Sequence, residues 1–287
     1  MDRDIFKGKA EVPSKGFTHG AKFHSDDVFA TACLRMINPD IKIERGFEVP
    51  ENYDGIVYDI GRGRFDHHQE DKEYRENGCP YAAFGLLWRE FGVLCVGEEE
   101  AAYFDEHFIQ PLDESDNTGC SNMIAKIVDE FNPSWDSQDD YDDCFFKAVD
   151  FAQNILVNHF NSVAGIYRAK ELVQQAMADS DGKILILPKF APWKGEVVGS
   201  SYIFAVYPSN RGGYSIQGVP VSDEDNTLVC NFPEEWCGKT AEELVGMTGI
   251  KTFRFCHPNG FLAAADEYQD AVAIAESAIK ISNKPVI

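Results

Sequence analysis

The feature that most constrains this fold is a long run of helix-type periodicity in the middle of the chain. Between residues 142 and 177, apolar side chains recur at intervals of three or four residues: Phe145, Val149, Ala152, Leu156, Phe160 and Val163. This spacing predicts one long helix, with Gly165 as a candidate kink and Gly182 as its stop. The helix would join a domain of residues 1–180 to a second domain of residues 183–287.

The residues before this helix alternate between strand-type and helix-type patterns. The predicted strands are Lys9–Phe17 and Ile56–Ile60, and the predicted helices are Asp26–Ile37, Tyr81–Phe91 and Glu98–Phe108. Such alternation indicates an α/β domain with a mostly parallel sheet.

The last hundred or so residues have a different pattern. Short strands are predicted at "KILILP", "YIFAVYP", "YSIQGVP" and "FRFCHP", and helices at "TAEELVGMTG" and "ADEYQDAVAIAESAIKI". We therefore expect a smaller α+β domain in this part of the chain.

Charge and hydropathy exclude some classes of protein. The formal net charge is −22, and no block of Lys and Arg is present, which argues against a protein that coats nucleic acid. An enzyme that binds an anionic substrate through metal ions is compatible with this net charge, because bound cations reverse the charge at the site. No apolar run reaches the ~18 residues needed to cross a bilayer. The N-terminus also lacks the pattern of a secretory signal, so we expect a cytoplasmic protein with no membrane partner.

His and Asp residues concentrate in loops that follow the predicted strands. The first loop carries His19, His24, Asp26 and Asp27, the second strand closes on Asp59, and Asp66, His67 and His68 come soon after. A further predicted loop, "PLDESDNTG", carries Asp113 and Asp116. Because ligands bind beyond the carboxyl ends of parallel strands, these side chains are expected to converge there.

Imidazole and carboxylate in this number suit a site for two divalent metal ions, with Asp59 as the candidate bridging ligand. Mn²⁺, Zn²⁺, Co²⁺ and Fe²⁺ fit mixed nitrogen and oxygen ligands better than Mg²⁺ or Ca²⁺ does. A pair of ions ~3.5–4 Å apart is suited to displacement at phosphorus. Each motif alone also has an ordinary explanation, such as a loop hydrogen bond or a helix cap. The order of the four segments along the chain, and their placement after predicted strands or in a loop, favour the metal site.

The same stretches resemble a known superfamily, the DHH phosphoesterases, and more closely the MYG1 family, also called UPF0160. The resemblance rests on "THGAKFHSDDVFATACLR", "YDIGRGRFDHHQ", "LDESDNTG", "RGGYSIQGVP", "FPEEWCGKTAEELVGMTGI" and "FCHPNGFLAAA". It implies a DHH-like catalytic first domain, a substrate-binding second domain and two metal ions, with Mn²⁺ favoured and Mg²⁺ as a further alternative.

The resemblance also implies roles for single residues. One metal would be held by His19, His24 and Asp59, and the other by Asp26, Asp59, His67 and either Asp116, the first choice, or Asp113. Asp66 would orient an imidazole, and His68 would face the substrate. Lys22 adds a positive charge at the mouth of the site. The implied substrate contacts of the second domain are Arg211, Gly212, Gly213, His257, Asn259, Gly260 and Phe261.

The activity that the resemblance implies is hydrolysis of phosphodiesters, as a 3′–5′ exonuclease that acts on RNA or a nucleotide. One alternative is an enzyme that hydrolyses a small phosphoanhydride, such as pyrophosphate, or a short nucleotide. Another is a metal-binding regulatory protein without turnover. Homo-oligomerisation is left open.

Overall fold

The computed structural model describes residues 12–180, 182–222 and 227–282. By their internal contacts the residues form two compact units, Met1–Ala164 and Gly165–Ile287. This division falls inside the long central helix, and the domain boundary near residue 182 stays a prediction.

The first unit is built on a three-stranded parallel sheet in the order β2-β1-β3. The strands are β1 (Lys15–His19), β2 (Lys42–Gly46) and β3 (Ile56–Val57). The predicted parallel sheet is therefore confirmed. The first strand begins later than expected, and residues 9–11 of that prediction lie outside the described residues. The predicted strand at residues 56–60 ends early, because Asp59 turns away from the sheet.

Helices cover this sheet and build the core of the first unit. They are α1 (Ser25–Ile37), α2 (Ala83–Val96), α3 (Glu98–Phe104), a π-helical turn (Asp105–Ile109), α4 (Gln110–Thr118) and α5 (Met123–Asp129). Aromatic side chains of α1, α2 and α3 meet in the core, among them Phe29, Phe84 and Trp88.

One prediction for this unit is wrong: the stretch "PLDESDNTG" is helix α4, not a loop. Pro111 lies in the first turn of α4, directly after the π-helical turn. Gly119 ends the helix with a φ of 72°, a left-handed conformation that glycine adopts without strain.

The central helix α6 (Tyr141–Asp179) is 39 residues long and stays helical through Gly165. Its first half packs an apolar face into the core of the first unit: Phe145, Val149, Ala152, Leu156 and Phe160. The periodicity in the sequence arises from this burial.

The second unit holds a mixed five-stranded sheet in the order β4-β5-β6-β8-β7. Its strands are β4 (Ile184–Ile186), β5 (Phe204–Pro208), β6 (Tyr214–Gly218), β7 (Phe253–Cys256) and β8 (Leu262–Ala265). Only the β4–β5 pair is parallel. The helices are α7 (Lys194–Val197), α8 (Ala241–Thr248) and α9 (Tyr268–Ser282). Across the described ranges, no helix has the length and apolar character needed to cross a membrane.

Candidate metal centre

The candidate site lies at the carboxyl ends of β1 and β3. His19 is the last residue of β1, and Asp59 follows β3 after one further residue. The N-terminus of α1 faces the same edge, with His24 at its N-cap position and Asp26 and Asp27 in its first turn. Asp59 has a φ of 55°, a left-handed conformation that is uncommon outside glycine. Parallel pairing of the strands thus brings distant segments to one edge.

Three groups of side chains could each hold a metal ion, with the ligand atoms of a group within 4.8 Å of one another. The groups are His19, Asp27 and Asp59; Asp59, His67 and His68; and His24, Asp26 and Asp116. Asp59 belongs to two of them. Its Oδ2 lies 3.1 Å from His19 Nε2, and its Oδ1 lies 3.1 Å from His67 Nε2.

His67 connects these groups to the third. Its Nε2 lies 3.2 Å from Asp116 Oδ2 and 3.6 Å from Asp26 Oδ2. The grouping differs from the ligand sets implied by the resemblance, because His24 joins Asp26 and Asp116, and Asp27 takes its place beside His19.

Several ligand atoms at this edge are buried without a hydrogen-bond partner in the described part of the chain: Asp26 Oδ1, Asp27 Oδ2, Asp59 Oδ1 and His67 Nε2. Leaving such atoms unpaired costs about 1–3 kcal/mol each, and more when they are charged. They approach other polar atoms closely but without hydrogen-bond geometry. Lone pairs that converge in this way fit a divalent cation with nitrogen and oxygen ligands.

The pKa shifts of these side chains indicate negative charge that the protein itself does not balance. Burial and the neighbouring carboxylates raise the pKa of Asp26 well above its usual value, and burial raises the pKa of Asp27 to about 7. Burial opposes the charge of His19, but Asp59 and Asp27 outweigh it and raise its pKa to about 9. Burial likewise opposes the charge of Asp59, but His19 and His67 hold its pKa below the usual value. A bound cation would replace the protons that these groups share.

Asp66 orients His68 rather than joining the cluster. Its Oδ1 accepts hydrogen bonds from the backbone N–H of His68 at 3.0 Å and from His68 Nδ1 at 2.8 Å, and its Oδ2 accepts one from the backbone N–H of Arg62. Although burial opposes its charge, these bonds lower the pKa of Asp66 to about 2. An ionised Asp66 must receive a proton from Nδ1, which leaves His68 Nε2 free for other partners.

Helix α4 is held in place by a buried ion pair. The Arg75 guanidinium, with its side chain 5% exposed, contacts Asp113 at 2.8 Å and Asp105 at 2.6 Å. The Asp113 carboxylate also accepts a hydrogen bond from the backbone N–H of Gly85. The structure therefore places Asp113 against Arg75 and outside the three ligand groups, whereas Asp116 on the next turn is in one.

The site opens into a cleft of about 770 Å³. His24, His67, His68 and Asp116 line it, and so do Lys72 and Lys126. The predicted Lys22 forms an ion pair at 2.9 Å with Asp129, which also lines the cleft. The cleft thus joins the candidate ligands to cationic side chains.

The predicted substrate residues of the second domain lie in two turns of the second unit. Arg211, Gly212 and Gly213 form the turn between β5 and β6. The turn between β7 and β8 contains His257, Asn259, Gly260 and Phe261; the Gly260 N–H donates to the His257 carbonyl, and the His257 and Phe261 rings are 4.3 Å apart. Their closure over the metal site stays a prediction.

The sequence patterns did not mark three residues of the site, Asp27, Lys72 and Asn117, as functional groups. Asp27 was part of the first loop but had no assigned role. Asn117 lies 3.4 Å from His67 Nδ1, and it accepts a hydrogen bond from Lys72 at 3.0 Å. Asn117 directly follows Asp116 in the sequence, but its place beside His67 could be expected only if residues 110–118 were predicted as a helix.

Fold and site together define an α/β protein with a candidate metal centre at the carboxyl ends of parallel strands. The family model described as "Uncharacterised protein family (UPF0160)", the MYG1 family, matches residues 16–279, and the chain therefore belongs to this family.

Relatives in this family span nearly the full length of the chain. A MYG1 protein of Schizosaccharomyces pombe is 27% identical over 320 residues, covering 91% of this chain and 96% of its own. A MYG1 exonuclease of Homo sapiens is 26% identical over 329 residues, covering 95% and 88%. A MYG1 protein of Chlamydia trachomatis is 27% identical over 282 residues, covering 90% and 94%. No solved structure matches the chain.

Proposed function

We propose that this chain is a DHH-type, metal-dependent phosphodiester hydrolase that acts as a 3′–5′ exonuclease on RNA. The observation that carries the proposal is the convergence of His19, Asp59 and His67, from three separate segments, with buried lone pairs that lack protein partners. Relatives named exonuclease support the nucleic-acid substrate. The direction of digestion and the choice of RNA rest on the resemblance to the MYG1 family.

Apart from His68, the residues of the three ligand groups would hold two Mn²⁺ ions, with Asp59 as a ligand common to both. When bound, such ions would activate water as a nucleophile and neutralise the charge of the phosphate. The residues themselves supply orientation, since parallel pairing fixes His19 and Asp59 and the start of α1 fixes Asp26 and Asp27.

His68 is suited to protonate the leaving oxygen. Its side chain is 60% exposed and lines the cleft, so substrate can reach it. The hydrogen bond to Asp66 raises the pKa of His68 and holds the proton on Nδ1, so that a second proton on Nε2 is available for transfer. Because substrate can reach His68, a catalytic site is favoured over a regulatory metal site without turnover.

The second candidate function is hydrolysis of a small phosphoanhydride. One observation favours it: no Phe, Tyr or Trp lines the cleft among the described residues, although base-binding clefts commonly present such side chains. The cationic Lys72 and Lys126 are compatible with either substrate.

The deciding experiment compares wild type with Asp59→Asn, which keeps the side-chain shape and removes the charge. Both are incubated with Mn²⁺ and with 5′-labelled RNA, 3′-labelled RNA, labelled single-stranded DNA or pyrophosphate. We expect wild type to shorten 5′-labelled RNA progressively and to release labelled mononucleotide first from the 3′ label.

The matched control is Asp40→Asn, which changes an exposed acid beyond the C-terminal end of α1, whereas the cluster lies at the N-terminal end of this helix. It should behave as wild type, whereas Asp59→Asn should be inactive. Turnover of pyrophosphate alone would replace the nuclease proposal with the second candidate. Equal activity in Asp59→Asn and wild type would refute the assigned site.

A further inference from the structure

A groove in the second unit has features that the proposed metal chemistry does not use. It consists of two adjoining cavities of about 540 and 360 Å³ that share Phe190 and Gln217, and we call it the Phe190 groove. The first cavity includes Trp193 and Lys194, and the second includes Arg211. The groove therefore extends well beyond the turn that the family resemblance singles out.

Phe190 offers an aromatic face where the two cavities join. It is 61% exposed, and its ring packs against Tyr207 with the ring centroids 5.3 Å apart. One side of the ring is thereby supported while the remainder stays accessible. A supported and exposed ring is suited to stacking with a flat apolar group.

Gln217 supplies a directed polar group beside this ring. Its Oε1 accepts a hydrogen bond of 2.7 Å from the Tyr207 hydroxyl, which lies on a side chain only 7% exposed. The bond fixes the amide, and Gln217 Nε2 has no protein partner within the described ranges. An unpaired N–H₂ group next to an aromatic face can donate to the carbonyl or ring nitrogen of a nucleobase.

The charge of the groove is opposite to that of the whole chain. Lys194 and Arg211 line its two cavities, and neither forms an ion pair among the described residues. The acid in the lining, Glu196, is already engaged by Lys170 at 3.6 Å and by Gln174 at 3.0 Å. In a chain of net charge −22, uncompensated cations flanking an aromatic face fit a ligand that combines phosphates with bases.

We propose that the Phe190 groove binds nucleotides of a single-stranded nucleic acid. Phe190 stacks on a base, Gln217 donates to its edge, and Lys194 and Arg211 contact the flanking phosphates. The inference rests on the proposed function in that the bound strand is the substrate, but binding itself requires no hydrolysis.

The test measures binding to the full chain by fluorescence anisotropy in EDTA, which prevents turnover. The probe is a fluorescein-labelled RNA octa-adenylate, and an abasic octamer of the same charge serves as comparison. Phe190→Ala should weaken binding of the octa-adenylate about tenfold and leave binding of the abasic octamer unchanged. Phe190→Tyr, which keeps a ring, should restore binding.

Two further variants separate stacking from charge and from general effects. Lys194→Gln should weaken both probes and lower the slope of log K against log salt by about 0.7. Trp135→Ala removes another aromatic residue, 96% exposed in the first unit, and should bind as wild type. An unchanged affinity in Phe190→Ala, or an equal loss on the abasic probe, would overturn the proposal. The proposal would also be overturned if wild type bound an apolar decapeptide and did not bind the RNA.

A separate assay distinguishes failure of the groove from failure of the proposed function. The abasic octamer contains phosphodiesters and no base, so its hydrolysis by wild type with Mn²⁺ tests the metal centre without stacking on Phe190. Loss of hydrolysis in wild type would count against the proposed function, while the anisotropy result would still decide the groove.

Discussion

Gly85 is the position where one added methyl group should disturb the candidate site most. In α2, a Cβ at this residue would overlap Asp113 Oδ2 and lie 2.6 Å from Arg75 Nη2. The substitution Gly85→Ala would therefore force apart the buried ion pair between Arg75 and Asp113 of α4. We expect a lower free energy of unfolding and a displaced Asp116.

The magnitude follows from two effects. Separating a buried ion pair costs about 3–5 kcal/mol, and solvent cannot replace the lost contact because Arg75 is 5% and Asp113 0% exposed in the side chain. Ala in place of Gly in a helix returns about 1 kcal/mol. The expected net loss is about 3 kcal/mol, measured by urea denaturation of metal-free protein and far-UV circular dichroism.

The matched control is Gly165→Ala in α6. There the nearest atom to an added Cβ is Arg168 Nη2 at 3.8 Å, so the same substitution meets no obstacle. It should raise the free energy of unfolding by about 0.5–1 kcal/mol and leave Mn²⁺ affinity unchanged. If Gly85→Ala is within about 0.5 kcal/mol of the control, the ion pair does not hold α4 as described.

Three further predictions concern protons at the site. Because the pKa of His19 is raised to about 9, this imidazole is protonated at neutral pH and must lose its proton to bind a metal. Asp27, with a pKa of about 7, also releases a proton, so the apparent Mn²⁺ affinity should rise at least tenfold from pH 6.5 to 7.5. Calorimetry in buffers of different ionisation enthalpy should detect the proton release. A pH-independent affinity would contradict this assignment. His68→Gln should lower kcat about 10²–10⁴-fold with little change in KM. Asp66→Asn removes the partner that raises the pKa of His68, so the alkaline limb of the kcat profile should move to lower pH, whereas the exposed Asp71→Asn should leave it unmoved.

Local patterns in the sequence predicted much of the site because strand ends and helix starts carry recognisable residues. His19 and Asp59 follow strand-type runs, and His24 and Asp26 stand at the start of a helix-type run. Convergence followed from the parallel sheet, which alternation of strands and helices had indicated.

Other elements could not be predicted because pairing and packing within the fold, rather than local sequence preference, decide them. Strand β2 (Lys42–Gly46) is largely polar and lies at the edge of its sheet, so it gives no apolar alternation. Strand β8 is "LAAA", a poor strand former by propensity, yet it pairs between β6 and β7 with three of its four residues buried. Helix α4 was predicted as a loop because the stretch "PLDESDNTG" is polar, and its contact with the core is made by few side chains, among them Leu112 and Asp113.

The left-handed backbone at Asp59 has a consequence for how this position can vary. Besides glycine, Asn and Asp are the residues that tolerate such a φ best, and among these three Asp alone carries a charge. Lengthening the side chain to Glu would add backbone strain, while Gly or Asn would be accepted by the fold and would forfeit the anionic ligand. Screening variants of position 59 for thermostability should therefore enrich inactive proteins. The backbone accepts Gly or Asn at this residue, whereas the proposed metal site requires a carboxylate.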